Sequence, residues 1–329
     1  MIMKAIVYTK YGPPDALQLK EVEKPDPKDN EVLIKIRAAS VNPLDWHYMR
    51  GTPYFLRMMA GLLKPKVTRL GMDVAGQVEA VGRSVTQFQP GDQVFGTCRG
   101  AFAEYACTSE SSLAIKPDNV TFEQAASVPV AAFTALQGLR DKGKIRPDYK
   151  VLINGAAGGV GTLAVQIAKS FGAHVTGVCS AGNVDLVRSI GADDVIDYTR
   201  EDFATSGKRY DLVFDCFATH SLSACRRVLN SKGIYITVGG PVGSLIGLLA
   251  HSIAALVFSR FVSQKFVTFI ARWSKEDLLI TQELMKSGKI RPVIDRRYRL
   301  SEVPEAIRYL EEGHARGKVV ITMENNSTT

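Results

Sequence analysis

The chain of 329 residues, 46% hydrophobic and 22% charged, is long enough for two domains with well-formed cores, which excludes a disordered or fibrous polymer. Its 41 Lys+Arg outnumber 33 Asp+Glu, and the net charge of +8 favours small anionic partners; no nucleic-acid partner is expected. The five cysteines, odd in number and without a Cys-x-x-Cys pair, exclude a disulfide framework and a zinc knuckle and point to a reducing compartment.

Residues 1–9 run straight into a strand pattern with neither a positively charged lead nor a cleavage signature, so no signal peptide and a cytoplasmic location are expected. From residue 3 to about residue 109 the pattern is mostly strand (KAIVYT, LQLKEVE, EVLIKIRAAS, DVAGQVEAVG, GDQVFG, AFAEYACTS), punctuated by YGPPD, EKPDPKDN and QPGD turns. One stretch interrupts this β-rich region. Residues 46–72 carry Arg50, Arg57, Lys64, Lys66 and Arg69 without an acid and read as a solvated loop with some helix. Residues 121–140, rich in alanine and small apolar side chains, read as one helix leading into a second domain.

That domain is organised around KVLINGAAGGVG at 150–161. Residues 150–154 form a short buried strand, and Leu163, Ala164, Ile167 and Ala168 repeat at helical spacing towards Gly172. The intervening turn matches a dinucleotide fingerprint with alanine in first place. In Ala156-x-Gly158-x-x-Gly161, Gly158 lets the backbone approach a pyrophosphate and Gly161 lets helix and strand pack closely. The amides of Ala157, Gly158, Gly159 and Val160 are the expected cradle. No Gly-Lys-Ser/Thr follows, which excludes a Walker loop, and no tyrosine has lysine four places on, which excludes the short-chain dehydrogenase pair. Then come HVTGVCS, a helix over about 183–190, VIDY, DLVFD, a helix around 222–229, and IYITVGG; this alternation predicts a parallel, doubly wound α/β sheet.

Residues 241–275 break the alternation. Ser244, His251, Ser252, Ser259 and Arg260 give a helix one narrow polar stripe and a wide apolar face, expected to roof a pocket or form a dimer face. The most apolar part, 245–258, is shorter than the roughly 20 residues a membrane span requires. From 216 to 275 there are seven basic residues and no acid, which leaves an interfacial helix on an anionic membrane as the other reading. Residues 275–287 read as helix, GKVVITM as a strand, and ENNSTT as a frayed tail.

With SVNPLDW, DVAGQVEAVG, QPGDQVFG, AFAEY, the AAGGVG turn, GADDVIDY, VGG and terminal GKVVI in place, the chain resembles the zinc-independent quinone oxidoreductases of the medium-chain dehydrogenase/reductase superfamily over essentially its whole length. Within that group it looks like the branch that includes the chloroplast-envelope quinone oxidoreductase. The resemblance implies a GroES-like domain over 1–126, a Rossmann NADP(H)-binding domain over 127–274, and a final segment, 275–329, returning to the first. It also shows what is missing: zinc-dependent relatives use cysteine, histidine and cysteine at positions that match Asn42, Met72 and Val130, which cannot hold zinc. No metal is expected.

NAD-specific sites place a carboxylate roughly 20 residues after the glycines. Here Cys179-Ser180 stand there, and no acid appears before Asp185, so NADPH is the expected cofactor. Similar reductases often carry a lysine near Asn183; Arg188 or Arg200 would have to compensate. By resemblance Tyr198 packs by the adenine, the nicotinamide lies among Val238, Gly239, Gly240, Thr134 and Asn42, and Arg316, Gly317 and Lys318 close over the cofactor, with a surface charge as the other reading of Lys318.

A nicotinamide passes hydride to an already polarised carbon, in a quinone or at the β-carbon of an enone, without a metal. The Asn42 amide and the cofactor's own nicotinamide 2′-hydroxyl or carboxamide groups are candidates for holding the acceptor's carbonyl oxygen. His47 or Tyr48 is a candidate proton donor, against a structural histidine and a proton from water; Asp45 is expected to tie down its loop. Two other functions compete: a non-catalytic NADPH-binding or peripheral membrane protein on the same fold, and an enoyl-thioester reductase, which needs a large basic site. Monomer and homodimer both remain open.

Overall fold

The computed structural model describes residues 1–54, 56–238 and 262–323. Gly239, Gly240, most of the expected helix over 241–275 and the ENNSTT tail lie outside the described residues. The chain divides into two compact units, one of residues 1–130, 273–288 and 292–329, the other of 131–272 and 289–291.

The first unit contains β1 (Ile2–Val7), β2 (Gln18–Glu23), β3 (Glu31–Val41), β4 (Asp73–Val81), β5 (Gln93–Thr97), β6 (Tyr105–Ser109) and β7 (Leu113–Ile115). The last two strands of the chain, β14 (Ile294–Arg299) and β15 (Lys318–Thr322), join them. A seven-stranded sheet runs β14-β15-β3-β4-β5-β7, with β6 paired to β3, while β1 and β2 form a separate antiparallel ribbon. Alternate residues of the long β3 (Val32, Ile34, Ile36) enter a core with Val74, Val94, Phe102, Leu113, Val319 and Ile321. Each such fully buried aliphatic side chain contributes about 1.5–3 kcal/mol. GKVVI thus supplies the strand between β14 and β3 in the sheet of the first unit.

Two antiparallel registers converge at the end of β3. Val319 pairs with Val41 and Val320 with Ser40, which sets Lys318 beside Asn42. On the other flank Ser40 pairs with Asp73. Pro43 then opens the helix Pro43–Arg50, with its fixed φ where no amide partner is needed, and Gly51 closes it at φ +62°.

The expected single helix over 121–140 is broken. Thr121 and Gln124 cap Phe122–Ala126 reciprocally, and a new helix, Pro129–Leu136, starts at Pro129 because the residue before a proline resists helical geometry. A π-turn, Gln137–Lys142, follows.

The second unit is a six-stranded sheet of β8 (Lys150–Asn154), β9 (His174–Cys179), β10 (Asp194–Asp197), β11 (Tyr210–Asp215), β12 (Leu229–Thr237) and β13 (Lys265–Thr268). Its order is β10-β9-β8-β11-β12-β13 and every pair is parallel. The strand order reverses between β8 and β11, and in such sheets ligands bind at the carboxyl ends beside that reversal. Val151, Leu152 and Ile153 are fully buried, as a strand covered on both faces must be. β12 starts at Leu229, earlier than the expected IYIT, because Leu229 already pairs with Tyr210 ahead of a register shift.

Candidate active site

The glycine turn leaves β8 at the sheet reversal. Gly155 adopts φ +82° beneath the Phe217 ring, and its amide and that of Ala156 donate to the Val178 carbonyl. The helix Gly159–Ser170 follows, its ladder beginning with the Thr162 amide on the Gly158 carbonyl at 2.9 Å. Gly158, Gly159 and Val160 are half-buried, while Ala156 and Ala157 are buried. Two glycines divide the labour. A Cβ on Gly161 would lie 2.0 Å from the Gly155 carbonyl oxygen, whereas one on Gly158 would meet nothing nearer than that same oxygen at 3.4 Å. Gly161 therefore serves helix–strand packing, and the open side of Gly158 suits an approaching anion.

At the end of β9, Ser180 Oγ accepts from Asn183 Nδ2 at 3.0 Å, and Asn183 Oδ1 is buried without a hydrogen-bond partner. An orphan acceptor beside a hydroxyl fits a ribose edge, which brings donors of its own. Tyr198 is 59% exposed, its amide on the Cys179 carbonyl. Arg188 is exposed, and Arg200 pairs with Asp197 at 3.8 Å. Thr134 stands half-buried on the helix Pro129–Leu136, and Val238 follows β12 with its amide on the Asp215 carbonyl.

Asp215 was not singled out from sequence. Its fully buried Oδ1 accepts from Asn154 Nδ2 at 2.9 Å and from the amides of Phe217 and Ala218, and Oδ2 from Tyr235 Oη at 2.7 Å. These bonds tie the ends of β8, β11 and β12 together and set Phe217 over Gly155. Burial pushes the Tyr235 phenol well above its usual range, so Tyr235 is a permanent donor.

In the first unit a second polar group gathers around Asp73, also not anticipated. Asp73 Oδ2 accepts from Ser40 Oγ at 2.7 Å and Asn42 Nδ2 at 2.8 Å, and Oδ1 from the Val130 amide at 2.9 Å. Lys318 Nζ donates to Asn42 Oδ1 at 2.6 Å and lies 3.3 Å from Asp73 Oδ2. All four side chains are buried. Lys318 is therefore no surface charge. Lysine needs an acceptor and the carboxylate a donor, so the Asn42 amide orientation is dictated; its remaining N–H points to the Ser40 carbonyl at 3.4 Å. Its amide is committed inside the protein, unlike the expected presentation to an acceptor carbonyl. Gly317, at φ +99°, packs against the Val293 carbonyl, 2.4 Å from where a Cβ would sit, so its glycine is required by the turn into β15.

The positions matched to zinc ligands thus surround a carboxylate: Met72 adjoins Asp73 in sequence, while Asn42 and Val130 bond to it. Among the described residues no group of three or more His, Cys, Asp or Glu could hold a metal ion.

Asp45 ties down its loop as expected: Oδ2 accepts from the Asn42 amide at 2.8 Å and Oδ1 from the Gly71 amide at 3.0 Å. Burial pushes its carboxyl up to about 7, with Asp73 adding to the rise and the two amides and Lys318 opposing it. His47 stacks on Trp46 with ring centroids 3.7 Å apart, and its Nδ1 meets the Thr52 carbonyl at 2.8 Å, so that nitrogen carries the proton. Burial lowers the His47 pKa and keeps the ring neutral at pH 7. Tyr48 is half-buried against the core of the first unit.

Comparison with known proteins places these features in context. Residues 28–118 match the family model of the alcohol dehydrogenase GroES-like domain, and residues 190–321 that of zinc-binding dehydrogenase. The chloroplastic quinone oxidoreductase of Triphysaria versicolor is 36% identical over 97% of this chain and 98% of its own. The chloroplastic NADPH-dependent alkenal/one oxidoreductase of Arabidopsis thaliana is 34% identical over 97% of this chain and 79% of its own. Among solved structures, Escherichia coli quinone oxidoreductase complexed with NADPH superposes with a TM-score of 0.79 at 26% identity, covering 97% of this chain and 99% of that one.

Proposed function

Because the chain belongs to the quinone oxidoreductases of the medium-chain dehydrogenase/reductase superfamily, we infer that it is an NADPH-dependent oxidoreductase acting on quinones or on the β-carbon of α,β-unsaturated carbonyls. The observation that carries this is the glycine turn at the sheet reversal, whose open Gly158 side and free first helical turn suit a pyrophosphate. NADPH, when bound, supplies the hydride.

The protein's part is binding and alignment. The amides of Gly159 and Val160 are assigned to the pyrophosphate, with Gly158, whose own amide donates to the Gly155 carbonyl at 3.0 Å, leaving room for its approach, and Ser180 and Asn183 are assigned to the adenosine ribose and its 2′-substituent. Tyr198 is assigned to the adenine face. Asp215 fixes the strand ends on which Gly155 and Val238 stand. In this reading neither Thr134 nor Asn42 makes a chemical step: Thr134 lines the cofactor, and Asn42 sets the end of β3.

We propose that the reaction runs without zinc. A tetrahedral catalytic site needs three strong ligands and an open position, and a committed amide, a thioether and a valine do not supply them. An acceptor already polarised by conjugation needs no Lewis acid. The proton that completes reduction is assigned to water, since neutral His47 spends its N–H on Thr52. The five free cysteines support a reducing, cytoplasmic compartment. Among the described residues no helix is long and apolar enough to cross a membrane.

The test is loss of NADPH absorbance against a panel of quinones, enones, saturated aldehydes and enoyl thioesters, with and without chelator. Turnover of quinones and enones untouched by chelator is expected. Turnover only of saturated aldehydes, or loss of activity that added zinc restores, overturns the proposal.

A further inference from the structure

The short helix Leu56–Ala60 and the loop after it expose apolar side chains that a solvated loop does not explain. Leu63 is 92% exposed, Met58 76%, Tyr54 69% and Leu62 68%. These side chains are held out by a built frame. Tyr11 Oη donates to the Gly61 carbonyl at 2.6 Å, the Lys66 amide to the Ala60 carbonyl at 2.7 Å, and the Tyr8 amide of the ribbon region to the Thr68 carbonyl at 2.9 Å. Gly61, at φ +119°, makes the reversal, and a Cβ there would sit 2.1 Å from the Lys64 carbonyl oxygen. Arg57 lies over the rings of Tyr11 and Tyr54 and donates to the Gly51 carbonyl at 3.0 Å. The leucine tip is therefore presented by fixed backbone.

Charge complements this tip. Residues 46–72 contain five basic side chains and no acid, and Lys64 and Lys66, one and three residues after Leu63, are exposed. An apolar tip followed by two exposed lysines, in a stretch of sequence without an acid, is the arrangement that inserts leucine below the headgroups while the lysines reach anionic phosphates. We propose that the loop over residues 61–66 is a docking surface for an anionic phospholipid bilayer, seated through Leu62 and Leu63 and held by Lys64 and Lys66. This goes beyond the assigned reaction and does not depend on which acceptor is reduced.

Flotation of the full chain with phosphatidylcholine vesicles containing phosphatidylglycerol, against vesicles of phosphatidylcholine alone, tests it. Binding to the anionic vesicles that high salt releases is expected. Each lysine near such a surface strengthens binding on the order of fivefold, so Lys64→Gln with Lys66→Gln should weaken it roughly 25-fold. Leu62→Asp with Leu63→Asp should abolish it, and Lys64→Arg with Lys66→Arg should retain it. NADPH turnover of a water-soluble benzoquinone, measured in parallel, reports folding of the variants and tests the assigned reaction separately. Failure of the wild-type chain to float with anionic vesicles, or undiminished flotation of the glutamine or aspartate pairs, overturns the proposal.

Discussion

Lys318 Nζ lies 2.6 Å from Asn42 Oδ1 and 3.3 Å from Asp73 Oδ2, joining three residues from β15, the end of β3 and β4 in one buried polar group. The arrangement follows from strand register, since β15 and β4 flank β3 on opposite sides and bring opposite charges to its last residues. A buried ion pair of this kind contributes little net stability when intact, because both ions gave up water. Removing one partner strands the other.

Lys318→Met should therefore destabilise the first unit by about 3–5 kcal/mol, read by urea denaturation, and combining it with Asp73→Asn should recover much of that loss. A loss under about 1 kcal/mol in the single variant would mean that Lys318 is not the partner on which buried Asp73 depends.

The two turn glycines should separate folding from binding. Gly161→Ala forces a Cβ to 2.0 Å from the Gly155 carbonyl and should cost several kcal/mol through displacement of the helix from β8. Gly158→Ala meets only a 3.4 Å contact and should fold normally while weakening NADPH by roughly tenfold or more, as the methyl blocks the pyrophosphate. Calorimetry with NADPH titration checks both. Equal NADPH affinity in Gly158→Ala and the wild type would remove Gly158 from the cradle.

This pair also shows what was legible in the sequence. Strand, glycine turn and helix are consecutive, so their order could be read along the chain, and β8, Lys150–Asn154, frames the apolar run at its centre with one polar residue at each end. The Asp73 group could not be read that way, because Asn42 and Asp73 stand 31 residues apart and Asn42 and Lys318 276, and they meet only once two registers are set. β14, with Arg296, Arg297 and Arg299, shows no alternation because it pairs on one side only, with β15 at the sheet edge. Asp215 left a readable trace: it is the single acid that closes the apolar run LVFD, where a buried strand end must have partners for a charge.

His47→Ala distinguishes a structural ring from a proton donor. Loss of the Thr52 bond and of the Trp46 stack should cost about 1–2 kcal/mol of stability. Turnover should stay within about threefold and the pH profile should keep its shape, because a general acid would contribute about 10²–10⁴. A fall in kcat of a hundredfold, with a basic limb erased from the pH profile, would restore His47 as the donor.

Asp45 gives the first unit a pH dependence of unusual sign. Its carboxyl is pushed up to about 7, chiefly by burial, so the folded chain holds its proton more tightly than the unfolded chain does. Folding then takes up a proton between the two values. The contribution is complete below the unfolded-state pKa of about 4, declines as pH rises through the folded value near 7, and is flat above it, a swing of at most about 4 kcal/mol. Asp141, Asp193 and Glu110, whose pKa values are lowered, work in the opposite direction, so the whole-chain curve mixes both signs. Asp45→Asn removes only the first. The variant loses one of two acceptors for the Asn42 and Gly71 amides, a penalty that does not titrate. The stability advantage of wild type over Asp45→Asn, measured by urea denaturation at intervals from about pH 5 to about pH 8, should therefore shrink as pH rises towards about 7 and level off above it. An advantage that grows with pH would mean that the carboxylate is stabilised in the fold, with its amide bonds outweighing burial.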